Sequence, residues 1–91
     1  MTRRTIVTSL VAVVVGIQAV RPSRVNPPVD PSMRLEAGPV PTPVAALLRR
    51  ACYDCHSNET HWPWYSSVAP TSWLVSRDVV TARKQINFSR W

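Results

Sequence analysis

The string Cys52-Tyr53-Asp54-Cys55-His56 holds both cysteines and one of the two histidines of a 91-residue chain. Two thiols three residues apart share one face of a helix, and a histidine four residues after the first thiol lies on the same side. This is the C-x-x-C-H spacing of c-type haem attachment. Each thiol forms a thioether with a porphyrin vinyl group, and the imidazole coordinates the iron from the same side. Cys52 and Cys55 are therefore assigned as covalent tethers and His56 as the proximal axial ligand, with one haem c per chain. Covalent attachment retains a cofactor that so small a domain cannot enclose well.

Other chemistries use the same residue types. Cys52, Cys55, His56 and His61 supply four nitrogen and sulfur donors of the kind zinc prefers. Against this, the adjacent Cys55 and His56 cannot easily reach one tetrahedral ion from a helix. A thioredoxin-like dithiol needs a strand before the cysteines, and no strand pattern is present. A Cys52–Cys55 disulfide would close a very short loop and stabilise little. The remaining alternative is two inert cysteines beside a surface histidine.

The fold class expected around this string is mainly α: an N-terminal membrane anchor helix, a proline-rich linker, then a small, partial helical domain for the haem. The domain, residues 44–91, opens with a helix whose N-cap is Thr42 and whose first position is Pro43. Its apolar positions fall at Val44, Leu47, Leu48, Ala51, Cys52 and Cys55, an i, i+3, i+4 stripe that places both thiols on the buried face. Asn58 marks the expected stop. A second helix is expected from near Pro70 to about Asn87, with Val75, Val79, Ala82 and Ile86 as its apolar stripe, widened by Trp73 and Leu74. Between the helices, Trp62, Trp64 and Tyr65 are candidates, with Trp73, either for packing on a porphyrin or for ordinary core and interface positions.

Residues 21–43 contain seven of the nine prolines. Each removes a backbone donor and pushes its predecessor toward extended backbone, so the segment reads as a stiff spacer. Ahead of it, Arg3 and Arg4 precede an apolar run from Ile6 to Val20, the layout of a secretory signal or signal anchor. An uncleaved anchor over residues 1–20 is favoured, because no good small-x-small cleavage site follows. The expected location is the bacterial inner membrane, with the domain facing the periplasm or cell exterior.

The formal charge of +6 raises the question of nucleic acid. The basic residues are scattered, with no stripe interleaved with aromatics and no nucleic-acid motif, so no nucleic-acid partner is expected. The chain is too short for a large enzyme fold, a nucleotide-binding sheet or a barrel. No general base or nucleophile is arranged for catalysis, and the chain is read as a carrier of single electrons rather than an enzyme. A redox partner protein of unspecified identity is implied. A haem-based sensor of small diatomic ligands and a zinc or dithiol interaction module are the alternatives.

From about Arg21 to Trp91 the chain resembles the bacterial haem-binding domain family, whose members are membrane-anchored and carry one C-x-x-C-H. The resemblance rests on Asn26-Pro27-Pro28-Val29-Asp30-Pro31, Cys52 to Thr60, Trp62-Pro63-Trp64-Tyr65, Val68-Ala69-Pro70, Ser72-Trp73-Leu74-Val75, Asp78-Val79, Asn87-Phe88-Ser89 and Trp91. It implies a mostly helical, monohaem, c-type cytochrome-like module. It also implies continuation past Trp91 into further helix and a methionine-proline segment that supplies the second axial ligand. The expectation is therefore a truncated chain, with the sixth iron position empty, water-bound, filled from another polypeptide, or taken by His61. Met1 and Met33 are the only methionines here.

Overall fold

The computed structural model describes residues 1–91, and no β-strand forms. Four α-helices follow one another: α1 (Arg3–Gly16), α2 (Thr42–Ala51), the single turn α3 (Tyr53–His56) and α4 (Thr71–Gln85). Short 3₁₀ turns lie at Ile17–Ala19, Pro31–Met33, Leu35–Ala37 and Trp64–Ser67.

The mainly helical expectation is met, but the anchor is not. Helix α1 has 14 residues, about 21 Å at the usual rise, against about 30 Å of bilayer hydrocarbon. No helix of the protein is long and apolar enough to cross a membrane. Where the apolar run should continue, the backbone tightens into the Ile17–Ala19 turn and is fixed to the domain. The Gln18 side chain donates from Nε2 to the Ala69 carbonyl at 3.1 Å, and its Oε1 accepts the Ala69 N–H at 2.9 Å. Helix α1 itself buries no residue and extends the molecule to 65 Å along its longest axis.

The proline-rich segment is a strap rather than a free spacer. Extended, proline-rich backbone cannot satisfy its own carbonyls, and donors on the helical part capture them. Trp73 Nε1 donates to Val20 O at 2.8 Å, Ser76 Oγ to Ser23 O at 2.9 Å and Arg83 Nη1 to Val25 O at 2.9 Å. Further along, the Leu35 N–H donates to Phe88 O and the Trp91 N–H to Met33 O, both at 2.9 Å.

Few apolar side chains are buried. Tyr53, Ala69 and Val79 form the apolar core, alongside the buried polar residues Ser57, Asn58, Thr60, Ser66, Ser72, Ser76 and Ser89. Helix α4 starts at Thr71 and ends at Gln85, just inside the expected limits. It turns Ser72, Ser76 and Val79 inward, while Leu74 and Ile86, expected on its buried stripe, are about half exposed. Small hydroxyl side chains suit this face because the strap's backbone approaches it closely enough for a Ser76–Ser23 hydrogen bond.

Candidate functional site

Helix α2 begins one residue earlier in its capping than expected: Pro41 is the N-cap, with no side-chain cap, and its carbonyl accepts the Val44 and Ala45 N–H groups at 3.0 Å. The single helix expected up to Asn58 is broken at Cys52, where φ is −125° and ψ −28°. One more turn, α3, forms before Ser57 becomes extended. Ser57 explains the stop. Its hydroxyl donates to Tyr53 O at 2.7 Å and accepts the Glu59 N–H at 3.0 Å, replacing the helical continuation with a local side-chain turn.

The thiols are not on a protein-buried face. Both are free, with Cys52 half-buried and Cys55 exposed. The apolar stripe they continue in sequence is itself partly open: Val44 is 46 % and Leu47 55 % exposed. The periodicity is present, but the chain covers it only in part: Leu48 and Cys52 are half-buried, whereas Val44 and Leu47 are left open.

His56 is held by α4. Its Nδ1 lies 3.2 Å from Ala82 O and 3.1 Å from Ile86 O. Carbonyl oxygens only accept, so Nδ1 carries a proton, and in the neutral imidazole the lone pair is then on Nε2. This is the tautomer a metal-ligating imidazole requires, and a backbone carbonyl on the other ring nitrogen is its usual support. The His56 N–H donates to Cys52 O at 2.9 Å and the His56 carbonyl accepts the Phe88 N–H at 2.8 Å, which fixes the backbone on both sides. The Phe88 ring meets the imidazole edge-on, with centroids 6.3 Å apart.

The two residues between the cysteines are also pinned. Tyr53 is buried between the Arg49 guanidinium, 4.8 Å from its ring centre, and the stacked ring of Phe88 at 5.4 Å. Its hydroxyl donates to Glu36 Oε1 at 2.6 Å. Burial, and next the Glu36 acceptor, push the Tyr53 hydroxyl up to about 12. Glu36 is held below the usual carboxylate range by its hydrogen bond from Arg49 and then by that from Tyr53. Asp54 Oδ1 accepts the His61 N–H at 2.9 Å and lies 3.3 Å from His61 Nδ1, folding the following loop back on α3.

His61 is therefore turned toward Asp54 at the surface. No three His, Cys, Asp or Glu side chains come together in a metal-holding group, so the zinc alternative through Cys52, Cys55, His56 and His61 finds no assembled geometry. The dithiol alternative loses its strand. Of the aromatics, Trp62 and Trp73 brace the strap: Trp62 Nε1 donates to Asn26 Oδ1 at 3.2 Å, as Trp73 does to Val20. Trp64 and Tyr65 pair edge-to-face at the surface.

Arg83 is an organising residue that nothing in the scattered charge pattern of the sequence marks out. It donates from Nε to Ser57 O at 2.7 Å and from Nη1 to Val25 O. Its Nη2 donates to Asn26 Oδ1 at 3.0 Å and Thr60 Oγ1 at 2.9 Å. Burial lowers its pKa, but a guanidinium remains charged at neutral pH. One residue thus ties the strap, the end of α3 and the following loop to α4. The available signal was the Asn26-Pro27-Pro28 string, whose asparagine turns out to be one of its partners.

The residues fit a haem. Two free thiols stand at the required spacing, an imidazole presents Nε2 from a fixed tautomer, and a partly uncovered apolar stripe runs beside them in sequence. No curated protein and no solved structure matches the chain. The model of a haem-binding domain matches residues 12–91, which takes in the strap as well as the helices. The chain belongs to the haem-binding domain family.

Proposed function

We propose that haem is bound covalently through Cys52 and Cys55, that His56 Nε2 is the proximal iron ligand, and that the protein carries single electrons to and from a redox partner protein. The observation that carries this reading is the pair of carbonyls, Ala82 O and Ile86 O, on His56 Nδ1. They orient the ring, fix the proton on Nδ1 and raise the basicity of Nε2. When bound, haem supplies a one-electron iron couple whose potential follows its axial ligands, hydrogen bonding and burial.

The chain's own residues do the rest. The Cys52 carbonyl holds the turn that carries His56, and Tyr53, locked by Glu36 and Phe88, holds the space between the two thiols. The exposed side chains of Val44 and Leu47 offer apolar surface to a flat cofactor.

Expressed with an export signal and haem-attachment machinery, the chain should give a haem-stained band on a denaturing gel. Cys52→Ala combined with Cys55→Ala should abolish it. An unstained wild-type band, or a stained double variant, would overturn covalent attachment.

A ligand-sensing role is the second reading, favoured by one further observation: the side chain of the second histidine, His61, is 94 % exposed and packs against no part of the attachment string beyond Asp54. Carbon monoxide binding to the reduced protein would support sensing through an open sixth position. A reduced spectrum unchanged by carbon monoxide would favour electron transfer.

A further inference from the structure

A second polar site lies where the end of the α1 segment, the start of the strap and the first turn of α4 meet. A hollow of about 240 Å³ opens there, lined in part by Arg21, Arg24, Ser67 and Ser72, with neither a carboxylate nor an aromatic ring in its wall. We propose that this hollow binds a phosphate-type oxyanion.

The charge is uncompensated. Four of the five carboxylates are engaged by Arg34, Arg49, Arg77 and His61, the fifth, Asp30, accepts from Ser32, and neither Arg21 nor Arg24 makes an ion pair. Two guanidiniums facing one hollow repel each other and attract an oxyanion, which they bind through charge-assisted, directional hydrogen bonds. Arg24 Nη1 donates to Ser67 Oγ at 2.7 Å. That bond uses the hydroxyl as acceptor and leaves its proton to be donated into the hollow.

Ser72 is the independent sign of a missing ligand. It is 4 % exposed, yet its hydroxyl has no hydrogen-bond partner in the protein, whereas Ser57, Ser66 and Ser76 each use theirs. Arg34 Nε is the one fully enclosed side-chain polar atom without a partner, so the Ser72 hydroxyl keeps its small exposure, and as part of the hollow's wall it can donate to a ligand there. Ser72 also sits in the first turn of a 15-residue helix with no acidic residue in that turn and no side-chain cap, so the positive end of the helix dipole adds to the same field. The Ser72 and Trp73 amides are already taken by Val68 O and Pro70 O. The proposed donors are therefore the two guanidiniums and the two hydroxyls.

The site is separate from the haem attachment site. Ser72 precedes Ala82, the partner of His56, by ten residues of one helix, about 15 Å along its axis. A wall without aromatic rings gives no stacking surface for bases, so a compact oxyanion fits better than a nucleic acid. The same chemistry serves free phosphate and the phosphate of a monoester.

The test is calorimetric titration of the full chain with inorganic phosphate and, separately, with glycerol phosphate, at ionic strength held constant with sodium chloride. Saturable binding of at least one is expected. Arg21 makes no hydrogen bond within the protein, so Arg21→Gln should fold normally and weaken binding about tenfold. Ser72→Ala should weaken it several-fold, and Arg50→Gln, on α2 and outside the hollow, should leave it unchanged. Tighter binding of glycerol phosphate would identify a monoester as the ligand, and equal or weaker binding free phosphate. No saturable heat with either probe, or an Arg21→Gln chain that titrates like wild type, would overturn the proposal.

Discussion

Helices α2 and α4 invert each other. Helix α2 carries an apolar stripe partly open to solvent, with Val44 and Leu47 about half exposed, whereas α4 buries a face on which two serines, Ser72 and Ser76, precede Val79. Burial of hydroxyls costs free energy unless they are partnered, and Ser76 finds its partner on the strap. Exposure of an apolar stripe is unfavourable unless something covers it, and haem at Cys52 and Cys55 is the group whose attachment would bring such cover. The difference separates two kinds of stability: hydrogen bonding that the chain completes itself, and apolar burial that the proposed haem would complete.

Breaking the self-completed side at Arg83 should have the largest effect. Arg83→Leu leaves Ser57 O, Val25 O, Asn26 Oδ1 and Thr60 Oγ1 without their donor. A loss of about 3 kcal/mol or more in urea unfolding is expected. Arg83→Lys keeps the charge without the planar fork and should recover only part of it. A Leu variant as stable as wild type would show that the strap is not held by this residue.

Ser76→Ala probes one bond of the same face. It removes the donor to Ser23 O while leaving that carbonyl near solvent, so about 1 kcal/mol is expected from thermal unfolding. The ratio of the two losses measures how far strap attachment is concentrated at Arg83.

What the sequence disclosed follows from where the interactions are local. The Cys52-to-His56 spacing, the helical class and the approximate limits of α4 all rest on residues within a few positions of one another. The stop at Ser57 involved a local hydroxyl turn, but Asn58 was the residue expected to end the helix. The burial of Ser72 and Ser76 could not be seen in a hydropathy stripe, because it depends on strap residues about fifty positions away. The same distance hid the strap itself: proline content indicates extended backbone, and long-range donors decide whether that backbone stands free or packs. The apolar run after Arg4 has the layout of an anchor, but its helix is too short to cross a membrane and Gln18 ties its end to Ala69. The carbonyls on His56 come from α4, so the histidine was legible in the sequence and what holds its ring was not.

The Glu36–Tyr53 pair gives the comparison a pH signature at the join between strap and haem string. A carboxyl held below its ordinary 4.5 contributes stability that is present above that value and lost as pH falls through the folded-state value. The sign for Tyr53 is opposite. A hydroxyl raised from 10.0 to about 12 contributes stability that is complete below 10 and lost as pH rises toward 12. Stability measured by urea unfolding should therefore show an acid limb reduced in Glu36→Gln and an alkaline limb reduced in Tyr53→Phe. Asp30, held low by Ser32, adds to the acid limb in both proteins. Identical limbs in wild type and variants would dissociate the pair from folding.

The smallest effect on the haem-free chain is expected at Leu47, and it tests the other half of the comparison. Leu47 is 55 % exposed, so Leu47→Asp should change haem-free stability by about 0.5 kcal/mol or less. If haem covers the stripe, the same carboxylate must be desolvated against porphyrin, which is unfavourable without a partner. Thermal unfolding of haem-loaded protein should then show a much larger loss for Leu47→Asp than the haem-free pair does. Arg50→Gln, on the same helix and off the stripe, should lose little in either state. Equal effects of Leu47→Asp with and without haem would mean that the cofactor lies elsewhere, and that α2 keeps its apolar face for another occupant.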